Sequence, residues 1–302
     1  MSKIVQRQKL GGRLFDLVNF VILTLVGLAC LYPMIHVIAG SLSHPEDLMR
    51  HRGLLLWPKR LFTVGYDIVF SNPNIWLGYK NTLIYVGVGT LSRTFMTMLC
   101  AYILSRDDFM PKRILTLFIV LTMYIGGGMI PNYLLIYNLK LLNTRGAIIV
   151  PTLINTWNVI ILRTAFQQSP KSLEESAKLD GGGDLTILFA ILAPTNIAAL
   201  VVVMLSSAVA EWNSWFPASI YLPLRKDLHP LQLYLREVLI EYSSNSTAGG
   251  QVLAADLGSL GALIDDVIRY ATIVLATMPI LVVYPFAQKY FVKGFMLGAV
   301  KG

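Results

Sequence analysis

PKSLEESAKLDGGGDLTILFAILAP, residues 170–194, is a charged segment set between two long apolar stretches of a 302-residue chain. Its first half reads as a short helix. Pro170 and Ser172 can open it, and Glu174 and Glu175 suit the positive end of its dipole. Leu173, Ala177 and Leu179 give it an apolar edge. Gly181-Gly182-Gly183 ends it and permits a sharp turn. A second helix starts near Asp184 and runs into the next apolar stretch. On the residues alone this helix–turn–helix is a docking knob or an ordinary polar connector.

Outward from this segment the chain is apolar. Hydrophobic residues make up 55% of it and charged residues 14%, against about 25% charged in a globular domain, and mean hydropathy is +0.61. Composition therefore excludes disorder and most soluble folds. Stretches free of Asp, Glu, Lys and Arg cover 17–45, 81–105 (broken by Arg93), 114–139, 146–162, 185–210 and 270–288. Each is long enough to cross a bilayer core of about 30 Å as a helix, and backbone groups in lipid must be satisfied internally. The expected fold is an all-α membrane protein with six transmembrane helices. They fall at about 15–40, 80–105, 114–137, 146–165, 186–210 and 268–290 of one transmembrane domain, 1–302. The first apolar run is too long for a signal-peptide core and is read as a retained span.

The net charge is +8. Lys3, Arg7, Lys9 and Arg13 precede the first span. With six spans, they share a side with Arg106, Lys112, Arg113, Arg163, Lys171, Lys178, Lys289, Lys293 and Lys301. Positive residues are denser on that side, so both termini and the 166–185 loop are expected in the cytoplasm. The basic balance is read as topology and contact with anionic membrane lipid, with no nucleic acid as partner. Outside, 46–78 carries Trp57, Pro58, Pro73 and Trp76 and is expected to be ordered. The loop 212–267 is longest, with Ser243–Gly250 rich in turn formers. Pro33, Pro131, Pro151, Pro194, Pro279, Pro285 and Gly126-Gly127-Gly128 lie in or near the spans. Such breakers either line a cavity, as in transporters, or reflect ordinary membrane-helix composition.

Residues 170–194 resemble the EAA loop of ABC importer permeases. Glu175-Ser176-Ala177 stands for Glu-Ala-Ala, Asp180-Gly181 follows at the family's distance, and nine residues separate Gly181 from Ile191, with Pro194 closing the pattern. Ser176 and Ala193 depart from it with small residues. Asn81-Thr82 and Glu211-Trp212-Asn213-Ser214-Trp215-Phe216 resemble carbohydrate permeases related to the second maltose-importer subunit. The ending from Gln288 to Gly302 is similar to the subgroup importing alginate or pectin oligosaccharides. The resemblance implies the type I importer permease fold with a cytoplasmic coupling helix, and half of a pathway for an oligosaccharide, acidic ones included. It implies a second, homologous permease, two ATP-binding subunits and an external or periplasmic solute-binding protein in a prokaryotic plasma (inner) membrane. The coupling residues it implies are Glu174, Glu175, Ser176, Ala177, Asp180, Gly181, Ile191 and Pro194.

No Gly-x-x-x-x-Gly-Lys-Ser/Thr loop occurs, so ATP and Mg are expected in the partner ATPases, with no cofactor, metal site or catalytic group on this chain. His36, His44, His51 and His229 show no metal-binding spacing. Cys30 and Cys100 read as small buried hydrophobes. No carboxylate lies at a span centre, which weighs against an ion-coupled carrier. Arg93 is the one charge within a span, read as an ion pair to the partner permease or a contact to an acidic sugar. Tyr124, Asn132, Asn155 and Trp157 are further candidates for the substrate path, by stacking and hydrogen bonding. A permease for a non-sugar solute and a non-transporting membrane scaffold are the alternative readings.

Overall fold

The computed structural model describes residues 10–51, 53–248 and 260–299. The first helices are α1 (Leu10–Ser41), α2 (Pro45–Arg50), α3 (Val64–Ser71), α4 (Pro73–Ser105), α5 (Lys112–Tyr124), α6 (Met129–Asn138), α7 (Gly146–Ile149) and α8 (Thr156–Gln167). There follow α9 (Lys171–Leu179), α10 (Asp184–Thr186), α11 (Ala193–Thr195), α12 (Ile197–Trp212), α13 (Phe216–Tyr221), α14 (Leu231–Ala248) and α15 (Leu260–Ala299). Among the described residues no strand forms beyond an isolated antiparallel bridge between Ser43 and Leu61.

Helices α1, α4 and α15 are each long and apolar enough to cross a membrane. Three bent pairs are together long and apolar enough to cross: α5 with α6 (119°), residues 146–152 with α8 (46°), and residues 184–195 with α12 (88°). Counting each pair once gives six. The spans expected at 114–137, 146–165 and 186–210, in or near which Gly126–Gly128, Pro131, Pro151 and Pro194 lie, coincide with these bent pairs. Each break has a local cause. The first lies at residues 125–128, where Gly128 takes φ +82°, a conformation that costs other residues a Cβ clash. Pro131 then sits in the first turn of α6, where its missing N–H has no intrahelical partner to lose. The second follows a 3₁₀ turn over Val150–Thr152, after which Asn155 caps α8 by accepting from the Asn158 N–H at 3.1 Å. The third follows a π-helical segment, Ile187–Leu192, and falls at Asn196. There the Asn196 amide donates to the Leu192 carbonyl (2.9 Å) and the Ser169 hydroxyl (2.8 Å).

The chain divides into two units. One comprises residues 1–71 and 238–275. Its α1 exposes Phe15, Phe20, Leu23 and Leu28, as a helix facing lipid does. Cys30 is exposed on α1, against the expectation of a buried hydrophobe; Cys100 is half-buried. Close approach at α15 rests on glycine: a Cβ on Gly40 would lie 2.9 Å from the Tyr270 ring, and one on Gly65 2.9 Å from Val267. His36 hydrogen-bonds Tyr32 at 3.3 Å. Arg60 pairs with Asp47 (2.7 Å) and Glu46 (3.3 Å) on α2.

The other unit comprises residues 72–237 and 276–302. Its axis is α4, packed along α12 and α8. The helix begins at Pro73, ahead of the span start expected at 80, because Asn72 caps it by accepting from the Asn74 N–H and Pro73 supplies a preset φ. Met98, Ala101, Tyr102, Leu162, Phe166, Ile187, Leu188, Leu192 and Val203 form its core. Residues 212–237 are folded rather than a loose external loop: Tyr85, Ile148, Ala218, Leu222, Leu228 and Leu233 make a second buried cluster. Of the turn expected at Ser243–Gly250, residues 243–248 continue α14, while Gly249 and Gly250 lie outside the described residues. So do Lys3, Arg7, Lys9, Lys301 and Gly302.

Candidate coupling site

The segment 170–194 folds as the sequence predicts, with one adjustment. α9 starts at Lys171 with Pro170 at its N-cap, so Ser172 lies inside the helix and caps nothing. Its C-terminus closes in a Schellman-type turn: the Gly181 N–H donates to the Lys178 carbonyl (3.1 Å) and the Gly182 N–H to the Ala177 carbonyl (2.7 Å). Gly181 takes φ +83°. A Cβ on Gly182 would stand 2.8 Å from the Ala177 carbonyl oxygen. Both glycines are therefore required by the backbone, one for its dihedral and one for its space.

The helix is anchored on one side and bare on the other. Ala177 is half-buried against the core of Phe166, Ile187 and Leu188. Ser176, Glu175 and Asp180 are exposed, and Leu179 is 89% exposed. Ile191 is half-buried in the π segment and Pro194 is exposed just before the break at Asn196. Leu179 thus stands exposed at the end of a helix whose other side packs on the core.

Residues outside the segment hold it. Arg106 pairs through both Nη atoms with the Glu174 carboxylate, the second contact at 2.9 Å, and its guanidinium lies 4.5 Å from the Tyr102 ring centre. The Tyr102 hydroxyl donates to Asp184 Oδ1 at 2.7 Å. Lys171 Nζ reaches Asp107 Oδ2 at 2.6 Å, and Lys112 Nζ reaches Asp107 Oδ1 at 2.9 Å. Arg163 Nε donates to the Leu104 carbonyl at 3.0 Å. Hydrogen bonds from Lys112 and then Lys171 hold the Asp107 carboxyl well below the usual carboxylate range, and Asp107 in turn raises Lys171. Glu174, Glu175, Lys178 and Asp108 line a cavity of about 450 Å³ beside these pairs. None of the holding residues was legible as such: Arg106 and Glu174 are 68 positions apart, and Arg106 read as one more positive charge near a span end.

The substrate-path candidates separate into two groups. Arg93 is 6% exposed. Its Nη2 donates to Glu211 Oε2 (2.8 Å), its Nε to the Thr152 carbonyl (2.7 Å) and its Nη1 to the Ser207 carbonyl (3.3 Å). The pair is internal to this chain. Glu211, at the end of α12, is 4% exposed beside it. The other four lie at the helix breaks: Tyr124 ends α5, Asn132 is in the first turn of α6, and Asn155 and Trp157 open α8. All four are exposed, Tyr124 by 81% and Trp157 by 61%. Thr122 and Thr156, joined by a 3.1 Å hydroxyl contact, bring the first two breaks side by side. Asn155 has a capping duty there as well.

The Asn81-Thr82 and Glu211–Phe216 signatures acquire physical roles. Asn81 donates to the Asp227 (2.7 Å) and His229 (3.1 Å) carbonyls and accepts from Arg145 (3.0 Å). The Leu231 N–H donates to Thr82 Oγ1 at 2.8 Å. Trp212 Nε1 donates to the Ala276 carbonyl at 3.1 Å, and the Arg236 guanidinium lies 3.9 Å from the Trp215 ring centre. Among the described residues no group of three or more His, Cys, Asp or Glu side chains is placed to hold a metal ion.

Up to six crossings among the described residues, three of them bent at short breaks, with a short exposed helix held by ion pairs, define a multi-pass membrane protein. No family model matches the chain. It is 39% identical over 291 residues to the polygalacturonan/rhamnogalacturonan transport system permease protein YtcP of Bacillus subtilis (strain 168), covering 96% of this chain and 99% of YtcP. It is 36% identical over 292 residues to protein LplC of the same organism, covering 97% and 96%. Among solved structures, one described as a bacterial ABC transporter involved in the import of the acidic polysaccharide alginate matches with a TM-score of 0.84 and 30% identity, covering 95% of this chain and 100% of that one. The chain belongs to the permeases of carbohydrate-type ABC importers: it is a plasma-membrane, multi-pass transport subunit, not an enzyme.

Proposed function

We propose that this chain forms half of the translocation pathway of an ATP-driven importer for an acidic oligosaccharide. A second, homologous permease supplies the other half, and an external solute-binding protein delivers the sugar. α9 seats in a cleft of one of two ATP-binding subunits, which carry ATP and Mg, and both termini face the cytoplasm. The observation that carries this reading is α9 itself: a nine-residue helix whose base is fixed by Ala177 and the Arg106–Glu174 pair while Glu175, Asp180 and Leu179 stay exposed. An element that is rigid and bare transmits a push from a partner; a floppy connector does not. The acidic class is supported by the polygalacturonan/rhamnogalacturonan for which YtcP is named and by the acidic polysaccharide alginate of the similar solved importer.

The test is the ATPase rate of the copurified complex in lipid, with binding proteins loaded with uronate or neutral oligosaccharides. Stimulation by a uronate-loaded protein supports the reading. Stimulation with neutral sugar alone overturns the acidic class, and absence of any copurifying ATPase overturns the importer role of α9.

A further inference from the structure

Backwards along the chain, α9 joins α8 across residues 168–170. Of two routes onward to the far side of its unit, the covalent one passes the Gly181–Gly183 turn, the π segment Ile187–Leu192 and the 88° break at Asn196 before it enters α12. Each is a joint at which a helix changes direction or hydrogen-bond register, and such joints absorb displacement. The second route is α4. It runs 33 residues without a break or an internal proline.

Both ends of α4 are gripped. At one end Tyr102 and Arg106, one turn apart, hold α9 through Glu174 and α10 through Asp184, so the two arms of the Gly181 turn are fixed to the same face. At the other end Asn81 holds the Asp227 and His229 carbonyls, Thr82 the Leu231 N–H, and the Tyr85 hydroxyl the Leu228 carbonyl at 2.8 Å. Asn81, Thr82 and Tyr85 are at most 1% exposed, and a Cβ on Gly78 would lie 3.0 Å from the Leu231 Cα. The grips are separated by 17 residues between Tyr85 and Tyr102, about 25 Å of helix at 1.5 Å per residue.

We propose that α4 is a connecting rod. Arg106 and Tyr102 are positioning residues that carry displacement of α9 along α4 to the segment 227–231, by a path that bypasses the joints leading into α12. This inference rests on the importer reading above, in which α9 meets the ATPase. It makes residues 227–231 the segment that moves when ATP binds, and by reciprocity the segment whose contacts alter the affinity for ATP.

The experiment uses the whole complex in lipid with Arg106→Gln, Tyr102→Phe and the exchange Arg106→Glu/Glu174→Arg. A fluorophore is placed at Leu224→Cys, which is 82% exposed, in a Cys30→Ser/Cys100→Ser background. Three quantities are read: copurified ATPase, stimulation of hydrolysis by loaded binding protein, and the fluorescence change on adding ATP. Stimulation in each variant is read relative to its own copurified ATPase and its own unstimulated rate. Stimulation should fall by about tenfold, within the usual range of allosteric coupling, and the ATP-dependent signal at position 224 should be lost. The exchange is expected to restore at least half of both. Full stimulation and signal in Tyr102→Phe and Arg106→Gln would overturn the rod. Loss of copurified ATPase in both would also overturn it, by making the residues part of docking. A wild-type complex with no ATPase or no stimulation would instead defeat the importer reading itself.

Discussion

Removing Arg93 tests the centre of the fold most directly. Its side chain is 7% exposed and that of Glu211 3%. Arg93→Met leaves the carboxylate buried beside Gly89, whose added Cβ would lie 3.6 Å from Glu211 Cδ. Breaking a buried pair by losing one partner costs about 3–5 kcal/mol. The substitution also strips the donor from the Thr152 carbonyl, the end of the 3₁₀ turn before the second break. A buried acceptor left bare costs about 1–3 kcal/mol more. The Ser207 carbonyl adds less, since it lies within α12 and its contact with Arg93 is long, at 3.3 Å. Arg93→Met is therefore expected to destabilise by about 5 kcal/mol, and Arg93→Met/Glu211→Leu by only the bare Thr152 carbonyl, about 1–3 kcal/mol. Reversible SDS unfolding in bicelles, followed by tryptophan fluorescence, gives the three stabilities. A single variant within about 1 kcal/mol of wild type, or a double variant no better than the single, would refute the argument that the pair is an obligatory internal brace.

The docking turn has its own test. Gly181→Pro cannot adopt φ +83°, so the variant should insert in the membrane at wild-type level and fail to transport; normal uptake by it defeats the docking assignment. Glu175→Lys leaves the fold intact because the side chain is exposed, and it should reduce copurified ATPase; unchanged recovery and turnover remove Glu175 from the contact. Asn81→Ala bares the Asp227 and His229 carbonyls and should lower stability by about 2–4 kcal/mol, measured by the same unfolding assay. Acid provides the last. The folded pKa of Asp107 is depressed, so its stabilisation is present above the unfolded carboxylate value near 4 and is lost as pH falls through the folded value. Hydrogen exchange of residues 171–179 should be flat from about pH 8 to 5 once intrinsic rates are removed, and loosen below about pH 4. Asp107→Asn should abolish that dependence; retention of it would assign the acid step to another group.

The sequence alone determined what depends on local chemistry. Runs without charge identify crossings because lipid penalises every unpaired polar group. The 170–194 segment was legible because a short amphipathic helix closed by Gly181 is encoded in adjacent residues, and its family pattern is a matter of spacing. Tertiary structure decided what depends on partners far along the chain. A carbonyl freed at residue 152 is tolerable because Arg93, 59 positions earlier, donates to it. Arg93 is tolerable in turn because Glu211 lies beside it. The sequence marked breakers in or near 114–137, 146–165 and 186–210 but not the size of each bend: Pro and Gly mark where a helix can break, whereas the groups that satisfy the break decide how far it does. The same holds for the knob. Its shape is written in residues 170–183, but its rigidity comes from Tyr102, Arg106 and Asp107, which no pattern within the loop specifies.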